Sequence, residues 1–256
     1  MIRNFISAFI IILILFILWK TAQPQQNGFS LDDGLKIYFI NLKQNQDRWE
    51  KNKMKLPNLH RFDAINGKVL DLDKLRKIGI LNETDFWLNK LGRGGIGCAF
   101  SHISIMNKIK NQNEKYGLIL EDDVLIPDNF EKKIKELEPY FPPVWDIIYL
   151  GGCNISGKKY NEKFIIPEQK ASHNYCCHAV LFNKETVNNV IHILTPLEKP
   201  IDLQLRSNFH KLRAYFLFPS MFFQNNDLFS YRRLFDGFDQ LTNKSPNYVE
   251  KINIIE

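Results

Sequence analysis

From residue 35 onward, short uninterrupted apolar runs alternate with segments whose apolar residues recur at helical spacing. This alternation constrains the chain more than any other feature. An apolar run without polar interruption suits a strand buried on both faces. Strands separated by helices suit an α/β sheet with helices on either side. Leu35–Leu42, Arg61–Ile65, Tyr116–Leu120, Trp145–Leu150, His178–Phe182 and Arg213–Phe218 read as strands. Asp47–Leu56, stopped by Pro57, reads as a helix, as do Gly97–Lys110, Asn129–Leu137, Asn183–Leu194 and the short Ile201–Phe209. Ile96, Phe100, Ile103 and Met106 set the helical period of the second of these. The expected sheet is mostly parallel.

An apolar fraction of 45% with 13% aromatics supplies a core and excludes wholesale disorder. Four cysteines are too few for a disulfide scaffold. The net charge of +6 is spread along the chain. Without a dense basic run or a nucleic-acid motif, it reads as a solvated surface, and no nucleic-acid partner is expected.

The N-terminus is a separate physical object. Phe5–Trp19 is almost wholly apolar and is flanked by Arg3 and Lys20. As a helix it spans about 22 Å, short of the ~30 Å hydrocarbon layer, but Ile2, Asn4 and a snorkelling Lys20 extend it. No clean small-residue cleavage site follows, so residues 1–20 read as an uncleaved signal-anchor rather than a cleaved signal or a buried helix. Residues 21–34 begin as a polar, Pro- and Gly-containing stretch and read as a stalk; residues 35–256 read as one globular domain. The expectation is a single-pass membrane protein of type II orientation, its body lumenal or external. Three glycosylation sequons, at Asn82, Asn154 and Asn243, accord weakly with that. In such a compartment Cys176-Cys177 could oxidise.

The chemistry begins at Glu121-Asp122-Asp123, directly after a buried strand. Three adjacent carboxylates repel one another unless a cation meets them. In extended backbone, Glu121 and Asp123 face together and Asp122 faces away. Carboxyl ends of strands in open α/β sheets form the ligand crevice, so an E-x-D pair there suits a hard divalent ion on a diphosphate. A solvated acidic turn is the plainer alternative. Asp202, after Pro200, reads either as a general base or as a charge stabilising a helix start. His102 beside Ser101, and Cys98 one turn earlier, fit a half-buried helix face. His173 with Cys176-Cys177-His178 lacks the paired spacing of a zinc site.

These pieces stand in an order that resembles glycosyltransferase family 25. Tyr38–Leu42 with Asp47-Arg48 is similar to the family's opening motif, and Phe62–Gly67 to its Asn-Gly segment. Gly97-Cys98 followed by Ser101-His102 resembles its helix motif, and Leu118–Val124 its acidic motif. Trp145–Gly151, His178-Ala179, Pro200-Ile201-Asp202, and Pro219 with Gln224 and Ser230 continue the likeness over about residues 36–232. Arg93, Val180, Gln204 and the Lys43–Gln46 stretch depart from the family pattern.

The resemblance implies a GT-A-like fold and inverting transfer of galactose or glucose from a UDP-sugar. The acceptor would be a glycan, lipid-linked sugar or protein hydroxyl. A divalent metal, manganese by preference, would be held by Asp123 and Glu121. Asp202 would be the catalytic base. Asn41, Asp47, Arg48, Glu121 and Gln224 would contact the nucleotide-sugar, while Cys98, Ser101 and His102 are motif residues. The competing expectation is an inactive, membrane-tethered sugar-binding module of the same fold.

Overall fold

The structure, a computed structural model, describes residues 28–82, 85–168, 174–225 and 254–255. The signal-anchor expectation, residues 1–20, lies outside them. Among the described residues no helix is long and apolar enough to cross a membrane.

The chain runs β1 (Leu35–Asn41), α1 (Gln46–Lys55), β2 (Leu59–Asp63), α2 (Leu72–Lys77), α3 (Asp85–Asn111) and β3 (Tyr116–Glu121). It continues through β4 (Val124–Leu125), α4 (Phe130–Leu137), β5 (Ile147–Cys153), β6 (Gly157–Lys159), β7 (Phe164–Pro167) and β8 (Tyr175–Asn183). α5 (Val187–Ile193), α6 (Ile201–Ser207), β9 (Ala214–Leu217), β10 (Phe223–Gln224) and β11 (Ile254–Ile255) complete it. The large sheet has the order β11-β6-β7-β9-β5-β8-β3-β1-β2, and β10-β4 is a separate ribbon. Strands β2, β1 and β3 run parallel, as do β5 and β9. The parallel character expected from the sequence resides there, while β8 runs antiparallel between β3 and β5.

The uninterrupted apolar strands do bury both faces. Tyr38, Ile40, Ile119, Tyr149, Val180 and Phe182 face one core with Ala99, Ile105 and Met106 of α3, Val190 of α5 and Leu205 of α6. Phe39, Leu118, Leu120, Ile148 and Leu181 face the other, with Trp49 of α1 and Phe130 and Ile134 of α4. Alternation along each strand thus feeds two cores, giving three layers.

Among the boundaries that differ from the sequence reading, two bear on the site and the body. Residues 28–34, assigned to the stalk, belong to the body: Phe29 is buried, with its ring centroid 4.7 Å from Tyr116 and 4.4 Å from Phe141. The Tyr116 hydroxyl donates to Gly28 O at 2.9 Å, and Leu31 N donates to Glu138 Oε1 at 2.7 Å. An apolar Phe docking on aromatics outweighs the polar composition around it. Helix α3 starts well before Gly97 but is broken at Gly92, whose φ of 58° and ψ of 172° are non-helical. A glycine permits that break at no steric cost.

Candidate active site

Helix α3 and the turn after β2 lock together first. A Cβ on Gly97 would lie 2.3 Å from Ile65 O, and one on Gly67 would lie 1.6 Å from Arg93 O. Only glycine allows these backbones to approach so closely. Ser101 Oγ accepts from Ile65 N at 2.8 Å and donates to Gly97 O at 2.7 Å, which explains its place in the helix motif. Arg93 donates to Gly67 O, Lys68 O and Leu70 O, so this departure from the family pattern ties down the same turn.

That docking sets Cys98 and His102, four residues apart on one face of α3, over the end of β3. His102 is fully buried, and its Nε2 lies 3.1 Å from Glu121 Oε1. Cys98 Sγ donates to the same oxygen at 3.7 Å. The sequence suggested a half-buried histidine and a merely apolar cysteine; both instead engage Glu121. Their i, i+4 spacing was the available signal.

Asp122, the first residue of the turn after β3, is held by partners from α1 and its approach. Arg48 Nη1 donates to its Oδ1 at 2.8 Å, while Asn41 Nδ2 and Asn45 Nδ2 each donate to Oδ2 at 3.0 Å. Two residues expected at the nucleotide thus have a partner within the chain. Asp47, in the first turn of α1, is exposed.

Beyond Glu121 the strand gives way to a turn, so Asp123 is not placed by extended alternation. The β4–β10 ribbon places it instead. Gln224 pairs in register with Val124, Asn225 N donates to Asp123 O at 2.7 Å, and Gln224 Nε2 donates to Asp123 Oδ2 at 3.4 Å. Gln224 Oε1 lies 3.5 Å from Cys176 Sγ and 3.8 Å from Cys153 Sγ.

Cys153 and Cys176 form a disulfide. The expectation that Cys176 and Cys177 oxidise therefore needs correction: adjacent strand residues point to opposite faces, and Cys177 is a free, buried thiol. The same alternation separates Cys177 from His178, two members of the set that lacked zinc spacing, and His173 lies outside the described residues.

Asp202 sits in the first turn of α6. Its Oδ1 accepts from Leu203 N at 2.9 Å and its Oδ2 from Cys176 N at 3.4 Å. Gln204, where the family often has a second acid, is instead a buried bracket. Its Nε2 donates to Ile193 O and Pro196 O, and its Oε1 accepts from Glu198 N and Lys199 N.

The electrostatics join these pieces. Burial pushes the Cys177 thiol far up, and the charges of Asp202, Glu121 and Cys98 push it further. Burial likewise raises the neighbouring Tyr149 hydroxyl, assisted by Cys177 and Asp202. Glu121 and Asp202, distant in sequence, therefore act on one buried point. The motif glycine Gly151 lets His178 approach: a Cβ there would stand 2.3 Å from His178 Nε2. Carboxylate oxygens such as those of Glu121, Asp123 and Asp202 suit hard ions such as magnesium or manganese.

The family model described as "Glycosyltransferase family 25 (LPS biosynthesis protein)" matches residues 35–189. The chain belongs to glycosyltransferase family 25. Among curated relatives, "Procollagen galactosyltransferase 1-A" of Xenopus laevis is 32% identical over 45% of this chain and 21% of its own length. "Glycosyltransferase 25 family member" of Aedes aegypti is 27% identical over 65% of this chain and 29% of its own. "Inactive glycosyltransferase 25 family member 3" of Homo sapiens is 26% identical over 54% and 24%. The matches to this family 25 chain thus cover between a fifth and a third of these relatives' lengths. Residues 35–189 include β1, Arg48, the α3 motif and Glu121–Asp123; Asp202 and Gln224 lie beyond them.

Proposed function

We propose that this family 25 protein transfers galactose or glucose from a UDP-sugar to a hydroxyl acceptor, with inversion, on a GT-A-like domain. The observation that supports this reading is a chain of contacts that links Asp202 to Asp123 at the end of β3. Asp202 is tied to Cys176, Cys176 lies beside Gln224, and Gln224 donates to Asp123.

Asp202 would take the proton from the acceptor hydroxyl as that oxygen attacks the anomeric carbon. The bond between that carbon and the UDP oxygen breaks in the same displacement, and UDP departs with the electron pair. Glu121 and Asp123 would hold a divalent cation, manganese by preference. When bound, that ion neutralises charge developing on the diphosphate. Gln224 orients Asp123. Asn41 and Arg48, held on Asp122, and Asp47 beside them would line the uracil and ribose. The acceptor class is a glycan, a lipid-linked sugar or a protein hydroxyl. Residues 1–20 would anchor the protein as a single-pass, type II membrane protein with the body lumenal or external.

Relatives named as inactive favour a second reading, a tethered sugar-binding module. A UDP-release assay across UDP-hexoses and acceptor classes, with manganese and after chelation, separates the two. Cation-dependent UDP release supports transfer. Binding of UDP-sugar without release supports the module, and neither binding nor release overturns both.

A further inference from the structure

The disulfide lies against Gln224, and the Cys176 backbone reaches Asp202. The bond ties the end of β5 to the start of β8, across a sequence separation of 23. Both sulfurs face Gln224 Oε1, at 3.8 and 3.5 Å, while the nitrogen of the same amide reaches Asp123 at 3.4 Å. Cys176 has a φ of 72°, a left-handed conformation that a non-glycine residue keeps only when its surroundings impose it. In that conformation its N–H donates to Asp202 Oδ2 at 3.4 Å.

We propose that the Cys153–Cys176 disulfide is a redox-sensitive positioning element that holds Gln224 and Asp202 in their working places, so that the oxidised protein is the active form. The proposal rests on the transferase reading above. The Gln224 amide turns its NH₂ toward Asp123, to which it donates, and this leaves its oxygen beside the two disulfide sulfurs. A dithiol reductant breaks the S–S bond. Two electrons and two protons pass to the cysteines, and the reductant closes its own disulfide. The two sulfurs then separate, so they no longer sit together against Gln224 Oε1, and the covalent restraint on Cys176 is gone. Its backbone relaxes from the left-handed region, and the N–H leaves Asp202. Free Cys177 lies on the opposite face of the strand, so it plays no part in this exchange.

The test uses the full chain in mild detergent, oxidised or treated with dithiothreitol, with free thiols counted by alkylation and mass spectrometry. Turnover and donor KM are measured on each form. Because a small displacement of a catalytic group is costly, turnover of the reduced form should fall roughly 10- to 100-fold while donor KM changes little. Reoxidation should restore it. Cys153→Ser and Cys176→Ala should show the low value and ignore dithiothreitol. Full turnover in a form with both thiols demonstrably free would overturn the proposal.

Amide exchange of the wild-type chain keeps the test independent of how the variants fold and of the transferase reading. Reduction should speed exchange in 174–178, 201–207 and 222–225 and leave β1 and β3 unchanged. If the oxidised chain transfers nothing but these segments loosen on reduction, the transferase reading fails and the clamp stands. Unchanged exchange in these segments would overturn the clamp.

Discussion

Asp122 and Asp123 are neighbours in sequence, yet substitution should separate them. Asp123→Asn keeps an oxygen for Gln224 to donate to, so the fold should persist while cation-dependent transfer is lost. Asp122→Asn removes the charge that Arg48, Asn41 and Asn45 share. That change should cost about 1–3 kcal/mol of stability and affect transfer less. Urea denaturation beside UDP release checks both; an Asp122→Asn protein of wild-type stability but no activity contradicts the assignment. At Asp202 the expectation is a turnover loss of roughly 100-fold or more with donor KM unchanged, the signature of a missing base. Retained turnover with weakened donor binding would make Asp202 a sugar-positioning ligand. The acidic triplet was legible because carboxylates packed together at a strand end are costly without a partner. What each one touches was not legible, because Arg48, His102 and Gln224 come from three distant segments.

Close backbone approach governs the elements. Gly97→Ala drives a Cβ to 2.3 Å from Ile65 O, whereas a Cβ at Gly94, on the same helix, would meet nothing within 4 Å. Gly97→Ala should therefore destabilise by about 3 kcal/mol, and Gly94→Ala should stabilise by about 0.5–1 kcal/mol through helix propensity. Thermal unfolding of the pair checks the contrast; equal effects contradict the packing argument. Buried Asp146 binds the β5 start to β9, accepting from Arg213 N at 2.8 Å and from its guanidinium at 2.7 and 3.0 Å. Burial alone would raise the Asp146 pKa, but the hydrogen bonds from Arg213 and Asn189 outweigh it and hold the carboxyl below its ordinary 3.8. A depressed folded pKa gives stability that is complete above the ordinary value and lost as pH falls through the folded one. Asp146→Asn should accordingly cost about 2–3 kcal/mol at pH 7, and its deficit against wild type should narrow below pH 3.8. A deficit independent of pH would dissociate the charge from the effect. The long strands were readable because an apolar run buried on both faces has no polar interruption. The β4–β10 ribbon was not, since two residues per strand carry no period, and it is this ribbon that delivers Gln224 to Asp123.

At the scale of the molecule, the division into anchor, stalk and body is tested by where the body begins. Phe29 sits between Tyr116 and Phe141, so the body reaches at least to Gly28. A chain of residues 28–256 should unfold at the same midpoint as the full protein. A chain of residues 35–256 leaves an aromatic-sized gap in that core and should be less stable by about 3 kcal/mol. Equal midpoints for the two shortened chains would return residues 28–34 to the stalk. The apolar Phe5–Trp19 segment makes the complementary prediction. The full chain should pellet with membranes and resist carbonate extraction, while residues 28–256 should remain in solution with transfer intact. Release of the full chain by carbonate would refute the anchor. Its orientation is argued from the Cys153–Cys176 bond, since disulfides persist in oxidising compartments and are rare where glutathione keeps thiols reduced. In sealed vesicles with the cytoplasmic face outward, the body should resist added protease until detergent opens the membrane. Digestion before detergent would place it on the cytoplasmic face, where the disulfide would have to survive a reducing medium.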